Sequence, residues 1–218
     1  MSLKGKTVVV TGGGGLIGHA VAKGLLCNGA RVIVIDKFRI DEFDKSLQGV
    51  EWKKHNICDS GLVEELESLS PDAIVHAAAH PGGMSLYEPT LDVKVNAVGS
   101  MRIFEYCAKN NVNIIYTSSS IIYEEPRHQT PITEESPLNP GTIYGVCKVS
   151  CENFLKILGK EYDFPWTVLR IFATYGAGHK PSAFQGIVNV MLTQLLEGDR
   201  VIVKGSLQRM RDMVYVND

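Results

Sequence analysis

The stretch Val8–Asp36, VVVTGGGGLIGHAVAKGLLCNGARVIVID, decides the fold of this 218-residue chain. An apolar, β-branched run leads into four consecutive glycines, apolar residues at three- and four-residue spacing come next, and a second β-branched run closes the stretch. Continuous apolar runs are typical of strands buried on both faces, and the spacing between them predicts a helix. The stretch therefore predicts a strand, a tight turn, a helix and a second strand parallel to the first.

The glycine turn carries the first functional signal. Gly12, Gly15 and Gly18 have the spacing G-x-x-G-x-x-G where the first strand ends and the helix begins. Glycine at these positions lets the backbone turn tightly and approach a pyrophosphate, while the helix N-terminus offers free amide groups to the anion. The strand–turn–helix context favours a dinucleotide site over a glycine-rich loop used only for packing.

Asp36 at the end of the second strand indicates which dinucleotide is bound. A carboxylate there can accept both hydroxyl groups of an adenosine ribose, and it would repel a 2′-phosphate. We therefore expect NAD rather than NADP as the cofactor. Lys37 and Arg39 lie close behind in the sequence and leave the NADP alternative open.

The same alternation of strand and helix continues along the chain and predicts an α/β fold with a doubly wound parallel sheet, or Rossmann fold, which binds ligands at the carboxyl ends of its strands. The predicted strands are TVVVTG from Thr7, RVIVID from Arg31, AIVHAAA from Ala73, NIIYTSSS from Asn113, WTVLRIF from Trp166 and RVIVKG from Arg200. The predicted helices are Leu16–Asn28, Ser60–Leu69, Leu91–Asn110 and Ile143–Tyr162. The proline- and acid-rich segment 124–141 predicts a loop.

Composition excludes several classes of protein. The charged fraction is 21% with a net charge of −2, and no basic stripe indicates a nucleic-acid or anionic-membrane partner. Five cysteines without a C-x-x-C pair indicate reduced thiols, and hence a cytoplasmic protein. The apolar run that ends at Gly12 is too short for a signal sequence, and no later stretch has the length of a membrane span.

Tyr144 and Lys148 form a candidate acid/base pair. Lys148 follows Tyr144 by four positions on the predicted helix Ile143–Tyr162, so both side chains lie on one helix face. A neighbouring ammonium stabilises a phenolate and lowers the pKa of the phenol toward working pH. The motif alone is short enough to arise by chance, and it gains weight only from the dinucleotide site predicted around it.

Taken in order, these segments resemble the extended short-chain dehydrogenase/reductases of the NAD-dependent epimerase/dehydratase family, which act on nucleotide sugars. TGGGGLIG resembles the family's T-G-x-x-G-x-x-G, HAAA its apolar loop beneath the adenine and ribose, and VNAVGS its V-N-x-x-G-T. YTSSSIIY resembles its serine strand, YGVCK its catalytic helix, LRIFATYG its L-R-x-x-N-x-x-G, and RDMVYVND a late segment. The resemblance runs nearly from end to end.

The resemblance implies a role for each site residue. Tyr144 moves the substrate hydroxyl's proton, Lys148 stabilises the phenolate and holds the nicotinamide ribose, Ser119 hydrogen-bonds the reacting oxygen, and Asn96 supports the catalytic helix. The implied substrate contacts are Ser119, Ser120 and Arg211, and no metal ligands are implied. The implied cofactor contacts are Gly12, Gly15, Leu16, Ile17, Gly18, Asp36, Lys37, Asn56, Ile57, Ala77, Ala78, Ala79, Asn96, Tyr144, Lys148 and Phe172.

The resemblance also implies a reaction, in which a sugar carbon is transiently oxidised and then reduced from its other face. Family dehydratases and decarboxylases usually carry an acid two residues after the catalytic hydroxyl, where this chain has Ile121. We therefore expect an NAD-dependent nucleotide-sugar epimerase. The alternatives are an NAD(P)-dependent dehydrogenase or ketoreductase with net redox, and a non-catalytic dinucleotide-binding protein.

Several positions depart from the family pattern. Met84 replaces an arginine found in uronic acid epimerases, Ala173 replaces the asparagine of L-R-x-x-N, and Asn56 replaces an aspartate near the adenine. We expect residues 1–218 to form the NAD-binding domain, with partial substrate-binding elements around 173–215 and the family's C-terminal portion absent. Family members often form homodimers through the helices that carry Asn96 and Tyr144. His76 and His80 are expected to pack against the cofactor loop rather than to bind metal.

Overall fold

A parallel six-stranded sheet forms the centre of the computed structural model, which describes residues 2–38, 47–123, 131–178, 186–198, 200–203 and 210–218. The strand order is β3-β2-β1-β4-β5-β6, and every neighbouring pair is parallel. The strands are β1 (Thr7–Thr11), β2 (Arg31–Asp36), β3 (Glu51–Lys54), β4 (Ala73–His76), β5 (Asn113–Ser119) and β6 (Trp166–Ile171). The order reverses between β1 and β4, where a doubly wound sheet opens its ligand crevice. The predicted fold class is confirmed.

The described residues form six α-helices. They are α1 (Leu16–Cys27), α2 (Leu62–Leu69), α3 (Pro89–Val93), α4 (Ser100–Asn110), α5 (Ile143–Tyr162) and α6 (Ile187–Leu196). A π-helical segment, Lys94–Gly99, joins α3 to α4 without a break, so the helix predicted over Leu91–Asn110 is continuous from Pro89. It begins two residues earlier than predicted because Pro89 occupies the first turn, where its missing N–H costs nothing.

Both faces of the sheet are covered, which explains the continuous apolar strands. Successive side chains of a strand point to opposite faces, and β1 shows this directly. Val9 belongs to a core cluster shared with α2, α4 and α5, whereas Val8 and Val10 belong to a second cluster packed against α1. The first two strands and the helix between them therefore form the unit that their sequence predicts.

The structure departs from the predicted strands in two places. Strand β3 was not predicted, because EWKK is a short, charged edge strand without an apolar run. The strand predicted from Arg200 is wrong over residues 200–203, which form no strand. The N–H of Ile202 donates instead to Gln194 Oε1 at 3.1 Å. The remainder of that predicted strand lies outside the described residues.

Three elements after residue 172 were also not predicted. They are α6 and the two strands of a small parallel sheet, β7 (Ala173–Tyr175) and β8 (Met213–Tyr215). In the predicted loop 124–141, residues 131–141 are irregular apart from one antiparallel bridge between Leu138 and Tyr123. Residues 124–130 lie outside the described part of the chain, as does Arg39.

Candidate active site

A cavity of about 380 Å³ lies at the carboxyl ends of β1, β2, β4 and β5. Its wall combines the glycine turn, the end of β2, the loop after β4, the end of β5 and the first turns of α5. It also includes Phe172, Ala173, Thr174 and Gly186 from the region after β6. The cavity therefore occupies the crevice that the sheet topology predicts.

The glycine turn leaves no room for side chains. Gly12 has a φ of +74°, and a Cβ atom there would lie 2.5 Å from the backbone nitrogen of Ala78. A Cβ atom on Gly18 would collide with the carbonyl oxygen of Gly12. Gly15, the residue before α1, has no side chain that could cap the helix. The N–H groups of the first helical turn are therefore available to an anion bound at the turn. The turn therefore fits a diphosphate bound by backbone amides.

Asp36 is fixed beside this turn. Its Oδ2 accepts a hydrogen bond from the N–H of Gly14 at 2.9 Å, and its Oδ1 accepts one from the N–H of Phe38 at 3.1 Å. Each carboxylate oxygen has a second lone pair, so the group can still accept ribose hydroxyls. Lys37 also lines the cavity, with its Nζ 5.0 Å from the centroid of the Phe38 ring.

Tyr144 and Lys148 face the same cavity from the first turns of α5. The helix begins after Thr142, whose hydroxyl accepts a hydrogen bond from the N–H of Gly145 at 3.0 Å. Lys148 Nζ lies 5.4 Å from the centroid of the Tyr144 ring and donates to the carbonyl of Thr117 at 2.7 Å. The structure thus brings the predicted phenol and ammonium together.

Burial sets the proton affinity of both groups. Lys148 is only 2% exposed, and this burial lowers its pKa to about 8, against smaller opposing effects of Cys151 and Asp92. Burial also raises the pKa of Tyr144 above its ordinary value of 10, and the negative charge of Asp92 raises it further. Tyr144 keeps some exposure to the cavity although protein surrounds most of its ring. At neutral pH the lysine is charged and the phenol is protonated.

The structure gathers nearly all predicted cofactor residues on one wall. Every one of them except Asn96 lines the cavity. Asn96 is 2% exposed and lies behind the wall, where its carbonyl accepts a hydrogen bond from Cys151 Sγ on α5 at 3.0 Å. This contact agrees with a supporting position behind the helix rather than with direct contact to a cofactor.

The predicted substrate residues are not gathered in the same way. Ser119, Ser120 and Arg211 are absent from the part of the cavity wall formed by described residues. Ser119 Oγ accepts a hydrogen bond from the N–H of Ile121 at 3.4 Å. Thr117 and Ser118, which precede it on β5, do line the cavity, and Ser118 donates its hydroxyl proton to Glu152 at 2.5 Å. The roles of Ser119, Ser120 and Arg211 remain predictions.

A buried polar network beneath the cavity was not predicted. It consists of Ser85, Asp92 and Asn96, each at most 2% exposed, together with His80, which is 5% exposed. The available signal was the pair Asp92 and Asn96 at helical i, i+4 spacing, which puts two polar side chains on one helix face. Because their partners come from the loop before the helix, the spacing alone does not reveal them.

His76 is held within the core. Its Nδ1 and Nε2 atoms are hydrogen-bonded to Thr11 Oγ1 at 2.6 Å and Ser100 Oγ at 2.9 Å, and its ring stacks on Tyr116 at 5.5 Å. Burial and the charge of Lys148 lower its pKa to about 3, so the ring is neutral at ordinary pH. It joins the end of β1 to the start of α4.

Neither a metal cluster nor a membrane-crossing helix is found among the described residues. No group of three or more histidine, cysteine, aspartate or glutamate side chains stands close enough to hold a metal ion within this part of the chain. None of the described helices combines the length and apolar character that a membrane crossing requires.

Comparisons with known proteins agree with this geometry. The profile described as the NAD dependent epimerase/dehydratase family matches residues 8–218. The crystal structure of UDP-glucose 4-epimerase with UDP-glucose from Thermotoga maritima is 32% identical, with a TM-score of 0.88 over 97% of this chain and 70% of that one. UDP-glucose 4-epimerase from Thermus thermophilus, solved in complex with NAD, is 28% identical, with a TM-score of 0.85 over 97% of this chain and 71% of that one.

A relative with a different reaction is also similar. The dTDP-glucose 4,6-dehydratase of Salmonella typhimurium is 26% identical to this chain. The matched region covers 97% of this chain and 65% of the relative. The similarity therefore spans proteins named as nucleotide-sugar epimerases and a protein named as a nucleotide-sugar dehydratase.

Proposed function

Because the chain belongs to the NAD-dependent epimerase/dehydratase family, we propose that it is a nucleotide-sugar epimerase that acts by transient oxidation to a keto-sugar. The observation that carries the proposal is that Tyr144 and Lys148 share one cavity with the glycine turn and Asp36. An acid/base pair and a dinucleotide site so placed are what a reversible oxidation of a hydroxyl group needs.

The residues on the cavity wall fit NAD. The glycine turn would bind the diphosphate through backbone amides, and Asp36 would accept hydrogen bonds from the adenosine ribose. When bound, NAD supplies a hydride acceptor that also returns the hydride, so no net redox change results. The carboxylate of Asp36 disfavours a 2′-phosphate, which supports NAD over NADP.

Tyr144 would take the proton of the reacting sugar hydroxyl at its phenol oxygen and return it at the end of the cycle. Its raised pKa is unfavourable for a base, and Lys148 provides the opposing positive charge. Because the pKa of Lys148 is about 8, this ammonium is charged at neutral pH. Ser119 is proposed to hydrogen-bond the reacting oxygen, by the resemblance described above.

Epimerisation is favoured over dehydration by the side chain of Ile121. It occupies the position where family dehydratases usually carry an acid, and an isoleucine cannot transfer a proton to a leaving hydroxyl. The hydrophobic side chain is 41% exposed. We assign residues 1–218 to an NAD-binding domain and the substrate side to residues around 173–215, because Ala173 and Thr174 reach the cavity. Homodimerisation remains a prediction from the resemblance.

The proposal is tested with Tyr144→Phe. Incubation of the parent protein with UDP-glucose and a trace of NAD should produce UDP-galactose, measured by proton NMR, without net NADH. The variant should lose on the order of 100-fold or more in rate and keep its NAD affinity, because only the acid/base group is removed. Tyr162→Phe is a matched control, since Tyr162 lies at the far end of the same helix and is 46% exposed.

Other outcomes point to other functions. Full activity of Tyr144→Phe would eliminate the assigned acid/base group. Stoichiometric accumulation of NADH would support a net dehydrogenase, and a 4-keto-6-deoxy product would support a dehydratase. NAD binding without turnover of any nucleotide sugar tested would support a non-catalytic dinucleotide-binding protein.

A further inference from the structure

We propose that Asp92 is a positioning residue for Tyr144, acting through the hydroxyl of Ser85. The inference rests on the proposed function for its importance to the reaction, and on contacts of the described residues for its geometry. Asp92 does not line the cavity, so it acts through its neighbours rather than on a substrate.

Asp92 is an unusual residue in its helix. Its neighbours in α3 are exposed, with Leu91 at 39% and Val93 at 43%, whereas Asp92 is 0% exposed. A buried carboxylate is costly unless hydrogen bonds compensate it. Ser85 donates its hydroxyl proton to Asp92 Oδ2 at 2.5 Å, and the side-chain amide of Asn96 donates to Oδ1. Each oxygen of the buried carboxylate therefore accepts a hydrogen bond from a buried partner.

Ser85 connects Asp92 to the helix that carries Tyr144. Its oxygen also accepts a hydrogen bond from the backbone N–H of Tyr144 at 2.9 Å. A serine hydroxyl has one proton and two lone pairs. Because a carboxylate can only accept hydrogen bonds, the hydroxyl proton of Ser85 points toward Asp92. The lone pairs of Ser85 are then available to accept the hydrogen bond from the N–H of Tyr144.

The bond to Tyr144 is placed at a sensitive point. The first N–H groups of a helix have no partner within the helix. In α5, the hydroxyl of the N-cap residue Thr142 accepts a hydrogen bond from the N–H of Gly145. The N–H of Tyr144 donates instead to Ser85, which lies outside the helix. A buried hydroxyl thereby links the catalytic end of α5 to α3.

The segment between His80 and Ser85 is held at both ends by the same network. Asn96 accepts a hydrogen bond from the N–H of His80 at 2.7 Å and donates one to its carbonyl at 3.1 Å. Between these anchors, Gly82 packs on the phenol ring, where an added Cβ would lie 3.2 Å from Tyr144 Cγ. Asp92 therefore controls both the backbone of Tyr144 and the surface against which its ring rests.

The charge of Asp92 gives the inference a specific signature. After burial, Asp92 is the group that raises the pKa of Tyr144, so removing the charge should lower that pKa. The other charged and titratable groups close to Asp92 are His80, whose Nδ1 lies 3.5 Å from Oδ1, and Cys147 and Lys148 on α5. Glu88 is linked to the network through His80 Nε2 at 3.0 Å.

The experiment compares Asp92→Asn and Ser85→Ala with the parent and with Asp72→Asn. Asp72 is an exposed carboxylate that accepts hydrogen bonds from Lys6 and from the N–H of Thr7, so its replacement controls for the loss of a hydrogen-bonded carboxylate outside the cavity wall. Amide hydrogen exchange should show that the N–H of Tyr144 exchanges on the order of tenfold faster in both test variants, because its acceptor is lost or reoriented. Difference titration of the phenol against Tyr144→Phe should give a lower pKa in Asp92→Asn and an unchanged one in Ser85→Ala.

In the epimerase assay, kcat should fall on the order of tenfold or more in both variants, with KM nearly unchanged, because the reacting group is displaced rather than the substrate. Unchanged Tyr144 exchange and titration in the two variants would overturn the inference. Equal losses in stability and NAD affinity with no change at Tyr144 would also overturn it, since that is what packing alone predicts.

The two readouts separate this inference from the proposed function. Failure of the chain to turn over nucleotide sugars would end the proposed function and leave the exchange and titration results to decide the positioning role. If Asp92→Asn does not fold, Ser85→Ala keeps the test, because it removes the relay and leaves the buried charge with Asn96.

Discussion

Strands β5 and β6 are neighbours in one sheet, yet they belong to regions that pack very differently. In β5, Ile114, Tyr116, Thr117 and Ser118 are buried, whereas β6 contains no buried residue. Phe164, at 5% exposure, is the last buried residue along the described part of the chain. The part of the cavity wall that precedes β6 in the chain therefore belongs to the tightly packed region.

The difference separates two tasks. Gly12, Asp36, Tyr144 and Lys148 are positioned by a core covered on both faces of the sheet, which suits groups that must keep a fixed geometry. Ala173 and Thr174 reach the cavity from the sparsely packed region, where local opening costs less. The cofactor side is built for rigidity, and the side proposed to meet the substrate is built with freedom to adjust.

The largest expected contrast comes from truncating one apolar residue on each strand. Ile114→Ala removes a side chain with 0% exposure and should lower the free energy of unfolding by about 3 kcal/mol. Leu169→Ala removes one with 45% exposure and should cost less than about 1 kcal/mol. Urea denaturation measures both. Equal losses would show that β6 is as closely packed as β5.

A second contrast uses two glycines with positive φ. Gly12→Ala combines φ +74° with a contact 2.5 Å from Ala78 N, whereas Gly178→Ala at φ +90° meets no described atom within 4 Å. Both carry the left-handed cost of about 1–2 kcal/mol, and Gly12→Ala should lose about 2 kcal/mol more from overpacking. Calorimetry should also show NAD binding weakened only by Gly12→Ala. Weakening by both would mean that the loosely packed region supports the cofactor too.

The smallest effect concerns the buried ammonium in the packed region. The folded pKa of Lys148 is about 8 against an ordinary 10.5, so the unfolded chain binds more protons between these values and stability rises with pH there. The gain should be on the order of 1 kcal/mol between pH 8 and pH 9.5. Unfolding free energies of the parent and of Lys148→Met, taken across this range, isolate the contribution. A parallel pH dependence in the two proteins would rule it out.

The sequence permits prediction of what depends on local pattern. Strands β1, β2, β4 and β5 are predictable from their β-branched apolar runs. The glycine turn is predictable because only glycine fits both the positive φ at residue 12 and the close approach of Ala78. Strand β3 escaped prediction because its position is fixed by pairing of Ile33 with Glu51 and its neighbours rather than by its own polar residues.

The candidate site divides in the same way. Tyr144 and Lys148 lie one helical turn apart, so a motif of five residues captures both. The relay from Asp92 through Ser85 to Tyr144 joins positions up to 59 residues apart and depends on a hydroxyl proton that no pattern encodes. A local pattern also could not predict that the segment from Arg200 forms no strand over residues 200–203. There the backbone N–H of Ile202 donates a hydrogen bond to the side-chain oxygen of Gln194.

The π-helical segment Lys94–Gly99 changes how this part of the chain tolerates differences in length. Its i→i+5 hydrogen bonds accommodate one more residue per turn than an α-helix does, and a single residue corresponds to about 100° of rotation about the axis. Removing one residue there would restore ordinary winding and leave Ile103 and Phe104 facing the core, whereas removing one from the first turn of α4 would rotate both side chains away from it. A one-residue shortening of this helix should therefore be tolerated best inside the segment, where the π winding absorbs the surplus residue.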